Sequence, residues 1–348
     1  MQILPRFEIF DHEVPQTGSF QLTDLPEEAE ELFMEADDLY FEMESQHADK
    51  LLKKIISDYP SFVDAHILLA QIARDENRKP EAINILKNAA GFFEKVIPDG
   101  FDGELHWGFT DNRPYLTLLH ELMITYDRFE QFENALSIGE KILAYNPNDN
   151  QGIRWLMGDL YLRCEDLKKA ETYLKKCAPE YPPNRYSYAL LLMKQDKRWD
   201  AITQFRLGFV ENIYICEMLR FKAPFIRYDV YEPSNLNGME VAQDYVLSMM
   251  DYWMIHMEAL QMMNDLLMTT VVTSEINGVF HYLSELNETF LFDDPISSFD
   301  DPDDLNVSEM QVEARREIFE EIEAIKKHIN TASSKKILKE LDQINPNY

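Results

Sequence analysis

Between residues 27 and 210 the apolar positions fall into paired, helix-length runs, and each pair carries small residues in the same phase. Ala48, Ala82, Ala135, Ala170 and Ala201 are separated by 34, 53, 35 and 31 residues. The flanking residues keep that register. Met157-Gly158-x-x-Tyr161 precedes Ala170, Leu174 and Pro182, and Leu122-Met123-x-x-Tyr126 precedes Ala135 and Pro147. Leu69-Ala70-x-x-Ala73 precedes Ala82 and Leu86, and Ala36 precedes Ala48, Leu52 and Pro60. Tyr188-Ala189-x-x-Leu192 precedes Ala201 and Phe205. The physical cause is packing: small residues let two helices approach, large ones fill the seam to the next pair, and proline ends the second helix. The pattern predicts five helical hairpins; the competing reading is unrelated hairpins with coincidental alanines.

The wide 53-residue interval is one period with an insertion, Gly91 to Asn112. Pro98, Asp99-Gly100, Asp102-Gly103 and His106-Trp107-Gly108-Phe109 make it a long ordered loop. After Phe205 the repeat fades. Ala242, Tyr245, Val246, Met249, Trp253, Met257 and Leu260 keep helical spacing, and Ser308 to Ile344 is amphipathic with a break near Thr331 to Ser334. The expected organisation is an N-terminal arm (1–26), a repeat array (27–210) with its loop at 91–112, and a Met-rich helical extension (211–292). An acidic loop (293–307) and C-terminal amphipathic helices (308–348) follow.

A period near 34 residues in helix-turn-helix units is that of tetratricopeptide (TPR) repeats. The predicted fold class is therefore all-α: a TPR-like right-handed superhelix of helical hairpins with additional C-terminal helices. His106-Trp107-Gly108, Asn112-Arg113-Pro114-Tyr115-Leu116 and the run Asn146 to Arg154 narrow this further. With Asn212, Pro224, Glu240-Val241-Ala242 and Trp253 through Leu260, they resemble a bacterial group of tetratricopeptide-repeat proteins similar to the suppressor-of-tumorigenicity-seven proteins of animals. The resemblance covers residues 100 to 260. It implies a repeat fold and a role in protein interaction, and no catalytic residues.

Charge changes the picture. The 348 residues hold 33 Lys and Arg against 63 Asp and Glu, a net charge of −30. No base lies between Arg6 and Lys50, where there are 14 acids, nor between Arg227 and Arg315, where there are 18. The middle is close to neutral, so the acidity belongs to two segments. It argues against nucleic-acid and anionic-membrane partners. Three cysteines without paired spacing and no leader-like N-terminus suggest a reducing, cytoplasmic setting.

No motif for metal-, phosphate- or acyl-transfer chemistry is found, and no cofactor or metal is expected. His281, Glu285 and Glu288 share helical spacing but are ordinary for an acidic helix. The Asp293–Asp304 run lacks the glycine of a calcium loop and carries Pro295 and Pro302.

The first helices of such hairpins line a groove that takes peptides or helices. In this register the groove shows Gln71, Arg74, Arg113, His120, Ile124, Arg154, Trp155, Asp159, Tyr186 and Leu190. Arg113 and Arg154 either grip a partner's carboxylate or form intramolecular bonds. The groove either receives a partner or is filled by the protein's own C-terminal helices. Eight methionines lie between Met239 and Met268. Met249 and Met257 fit a core stripe, whereas Met250, Met254 and Met263 fall to its side as an exposed apolar patch.

The reading is a non-catalytic interaction scaffold or adaptor whose protein partner presents a basic or apolar segment. The alternatives are a metal-dependent enzyme or regulator with a site in 221–292, and a self-assembling structural subunit. The oligomeric state is not legible.

Overall fold

The computed structural model describes residues 5–11, 15–221, 238–291, 309–331 and 334–344. They divide into two compact units, Met1–Glu165 and Asp166–Tyr348. The expected acidic loop at 293–307 lies outside the described residues.

The first unit opens with β1 (Arg6–Asp11) and β2 (Thr17–Gln21). Helices α1 (Glu27–Phe41) and α2 (Ser45–Asp58) follow, then α3 (Val63–Asp75), α4 (Lys79–Glu94), α5 (Arg113–Arg128), α6 (Phe132–Tyr145) and α7 (Ile153–Arg163). The second unit continues with α8 (Leu167–Cys177), α9 (Pro183–Lys194) and α10 (Arg198–Glu211). Ala48, Ala82, Ala135, Ala170 and Ala201 each stand fourth in the second helix of a pair, and all are fully buried. This is an all-α helical-repeat protein with TPR-like hairpins.

Each pair is joined by three residues whose middle one is left-handed: Met43, Asn77, Glu130, Glu165 and Asp196, with φ between 56° and 63°. After Met43, Asn77, Glu130 and Asp196 the next amide closes the helix end by bonding a carbonyl five residues back, as Arg78 N to Ala73 O (2.7 Å) and Lys197 N to Leu192 O (2.8 Å) do. No glycine occupies these positions, so the turns left no glycine signal in the sequence.

The N-terminal segment is a strand pair rather than an arm. β1 and β2 are antiparallel, with Phe7 opposite Phe20. Phe20 is fully buried and meets Phe7, Phe93 and Tyr115 edge-on. The insertion begins at Lys95, because α4 runs on through Gly91 to Glu94. It docks on β2: Gly18 N donates to Glu104 O (2.9 Å), and Glu104 N to Gln16 O (2.7 Å). A Cβ on Gly103 would sit 2.2 Å from Gln16 O, so the close approach requires glycine there. Buried Asn112 locks the junction. Its Oδ1 accepts from Phe20 N (3.0 Å), and its Nδ2 donates to Gly18 O and His106 O (both 3.2 Å).

In the second unit the repeat ends at α11 (Ile213–Leu219), followed by α12 (Met239–Ile255), α13 (Met257–Leu266) and α14 (Thr270–Leu291). Two C-terminal helices, α15 (Glu309–Thr331) and α16 (Ser334–Ile344), complete it. Buried Arg206 of α10 forms a two-pronged ion pair with Glu275 of α14, fixing these helices together. The Met257 expectation fails. The helix bends at His256, so the phase resets: Met257 is 56% exposed and Met263 is buried. Met249 is core and Met254 is exposed.

Candidate partner-binding site

In the first unit the opening helices of successive hairpins are laced together by polar bonds. Tyr40 of α1 donates to Asp75 of α3 (2.6 Å) and accepts from Gln71 (3.0 Å). The Asp75 carboxylate raises the Tyr40 pKa. Arg74 of α3 donates to Glu121 (3.0 Å) and Thr125 (2.9 Å) of α5. Arg163 of α7 donates to Asp127 of α5 (2.6 Å) and lies 4.7 Å from the Phe132 ring centre. Tyr40 and Asp127 both lie three residues before a left-handed turn residue, and their partners Asp75 and Arg163 both lie two before the next. Complementary polar residues at equivalent repeat positions were a readable signal that helix periodicity alone passes over. These bonds place Arg74 in the scaffold rather than on an open groove; its side chain is only 8% exposed.

The Asn146 to Arg154 run turns α6 into α7. Asp149 is buried at φ 51°. Its carboxylate accepts from the amides of Ile153 (2.7 Å) and Arg154 (2.9 Å), capping α7, and from the Arg154 guanidinium (3.0 Å). Gly152 is left-handed at φ 73°, and a Cβ there would meet the Trp155 ring at 2.8 Å. Trp155 thus folds back over the turn, half-buried, with the Arg154 guanidinium 4.7 Å from its ring centre. Half-buried His120 feels the charge of Asp149 and of its neighbour Glu121. Burial holds its imidazole below the ordinary value against their upward pull, so it is neutral at neutral pH.

The structure therefore gathers His120, Arg154 and Trp155 around Asp149, with half-buried Asp159 one turn further along α7. Arg113 is elsewhere. Its Nε donates to Trp107 O (3.0 Å), its guanidinium lies 5.5 Å from the Trp107 ring centre, and it lines a cleft of about 310 Å³ with Thr23, Ser61, Asp64, Thr110 and Thr117. Burial raises the Asp64 pKa.

Tyr186 needs correction as a groove residue. It is fully buried, donates to Asn212 O (2.6 Å), and packs its ring near Phe209 and Tyr245. Leu190 is also fully buried. In the second unit α12 covers the first helix of the last hairpin: Tyr245 shares a hydrogen bond with Ser187 of α9 (2.9 Å) and accepts from Trp253 Nε1 (3.0 Å). Sequence spacing alone could not show which first helices α12 would cover.

Among the described residues, no three or more His, Cys, Asp or Glu side chains converge as metal ligands. His281 and Glu285 are an exposed pair at 3.3 Å. No helix among the described residues is long and apolar enough to cross a membrane.

Residues 129–197 match the tetratricopeptide repeat family. Among solved structures, the chain is similar to a tetratricopeptide repeat protein from Parabacteroides merdae, with 16% identity, a TM-score of 0.43, and coverage of 91% of this chain and 98% of that one. It is also similar to the MamA protein, with 15% identity, a TM-score of 0.41, and coverage of 57% of this chain and 98% of that one. A thermophilic TPR protein in Thermus thermophilus shares 17% identity at a TM-score of 0.34, covering 52% of this chain and 90% of that one. No curated protein matches the sequence, so the resemblance to the suppressor-of-tumorigenicity-seven group rests on the residues quoted for it.

Proposed function

We propose that this helical-repeat protein is a non-catalytic scaffold that binds a peptide or helix of a partner protein on the first-helix face of its first unit. TPR repeats generally mediate protein–protein interaction, and such arrays present their first helices to ligands. The observation that carries the reading is a contrast in burial. His120, Ile124, Arg154, Trp155 and Asp159 stay half-exposed in the first unit, whereas Tyr186 and Leu190 of the second are sealed by the protein's own helices.

Trp155 is the anchor: a large amphipathic ring held in one orientation by Gly152 and Arg154. Neutral His120 and Asp159 flank it and favour a segment with apolar and basic residues. The net charge of −30 would speed the approach of such a segment. A cytoplasmic setting belongs to the proposal; three cysteines without paired spacing are compatible with it. The likeness to the suppressor-of-tumorigenicity-seven group enters only as the same expectation of a binding role.

The test is affinity capture from the native cell with the full-length protein and its Trp155→Ala form, read by quantitative mass spectrometry. A partner depleted roughly tenfold or more by the substitution is expected, provided the melting profile is unchanged. An unchanged partner list on a folded variant removes this face from the proposal.

A further inference from the structure

The exposed side of α12 is apolar and acidic at once. Helical spacing sets Asp244, Leu247, Asp251, Met254 and Ile255 on one stripe, opposite Ala242, Tyr245, Met249 and Trp253, which face the core. Leu247 is 81% exposed, Ile255 73% and Met254 42%. Met257 extends the stripe just past the bend at His256. One exposed leucine is ordinary on a protein surface; four large apolar side chains within eleven residues form a patch. The sequence holds no base from 228 to 314, and among the described residues no Lys or Arg pairs with Asp244, Asp251 or Glu258.

We infer that this stripe is a docking site for a basic amphipathic helix of a partner protein. The chemistry selects the occupant. An apolar seam read at i, i+3, i+4 and i+7 would cover Leu247, Met254 and Ile255. Flanking Lys or Arg would supply the counter-charges that Asp244, Asp251 and Glu258 lack among the described residues. Unbranched methionines adapt to differently shaped seams. A second copy of this chain is disfavoured, because a two-fold interface would set Asp244 and Asp251 against their own equivalents. An anionic lipid surface is repelled by the same groups. The site lies in the second unit and does not depend on the Trp155 face.

The probe is a fluorescent helical peptide of about 18 residues with leucine on one face and lysine on the other, titrated by anisotropy at ~0.15 M salt against the full-length protein carrying Trp155→Ala, so that the first-unit face does not contribute. The same peptide with glutamate replacing lysine is the control. Saturable binding of the basic peptide alone is expected. Leu247→Ser with Ile255→Ser should weaken it roughly tenfold or more, and both side chains are exposed enough for the variant to keep its melting temperature. Asp244→Asn with Asp251→Asn should weaken it severalfold and flatten its salt dependence. No binding, or binding unchanged by both double substitutions, overturns the inference. So does a concentration-dependent dimer abolished by Leu247→Ser with Ile255→Ser, which would assign the face to a second copy.

Discussion

The third hairpin inverts the size pattern of the other four. The eighth residue of the second helix is Leu52, Leu86, Leu174 or Phe205 elsewhere, each fully buried, but Gly139 in α6. The small first-helix positions Ala36, Ala70, Gly158 and Ala189 are matched in α5 by buried Met123. Large and small have changed places: a Cβ on Gly139 would lie 2.5 Å from Met157 Sδ and 3.1 Å from Met123 Sδ. Gly139→Leu forces both thioethers aside, costing about 1–3 kcal/mol, offset by ~1 kcal/mol of recovered helix propensity. Met123→Ala empties the seam at a cost of about 2–5 kcal/mol. The double variant recreates the arrangement of the other hairpins, so the leucine introduced in α6 should fill the space left by Met123. Its loss should fall short of the sum by roughly 1–3 kcal/mol. Urea unfolding followed by circular dichroism measures all four proteins, and hydrogen exchange over residues 113–145 gives the local reading if the array unfolds in parts. Losses that add within about 0.5 kcal/mol would refute the exchange of large and small.

Two further outcomes follow from the turns and the buried imidazoles. Glu130→Gly and Met43→Gly should each raise stability by about 0.5–1 kcal/mol, since a side chain at left-handed φ costs roughly 1–2 kcal/mol and glycine returns part of that as unfolded-state entropy. Asn77→Gly should change little, because asparagine tolerates that region; an equal rise in its melting temperature would defeat the argument. Burial lowers the pKa of His66 and His120. Above about pH 6.5 both are neutral folded and unfolded and contribute no slope. As pH falls below that, the unfolded chain takes up protons that the folded chain refuses, so stability falls by up to ~1.4 kcal/mol per pH unit for each group. His66→Gln should flatten the melting profile between roughly pH 6.5 and 5. The lowered pKa values of Glu81 and Glu171 act in a separate window, their stabilisation being present above ordinary carboxylate values and lost as pH falls through them. A slope unchanged by His66→Gln would mean that His66 does not carry it.

The hairpins were legible because packing repeats: a buried alanine at the fourth position of each second helix is dictated by helix contact and recurs wherever the contact recurs. The Asp149 cap leaves a readable signal too, because asparagine and aspartate just before a helix commonly accept its free amides. The β1–β2 pair was not. Its strands are short, and their pairing with Glu104 and Asn112 depends on residues about 90 positions away. Tyr186 was misplaced because periodicity gives the face of a helix and not what covers it; Tyr245, 59 residues later, decides that. Met257 was misplaced because a single bend at His256 breaks a period that the sequence continues unbroken.

The placement of the acids separates stability from function. In α1 the first-turn residues Glu27, Glu28 and Glu30 favour the helix dipole, but Asp37, Asp38 and Glu42 sit at its opposite end, where the dipole opposes them and no base lies in the last turn. Glu27, Glu31 and Glu35 follow at intervals of four, each like-charged pair costing about 0.2–0.5 kcal/mol. The helix is held instead by Ala29 and Ala36 and the cluster they join with Leu52, Ile55 and Leu69. Alpha-helical stability would be better served by lysines at several of these exposed positions, as it would at Asp244 and Asp251 of α12. Folding does not call for these charges. In the proposed role they would supply a negative field around exposed apolar residues, Met34 and Phe41 in one helix and Leu247 and Ile255 in the other, and such a field would act on the approach of a basic segment before any contact is made.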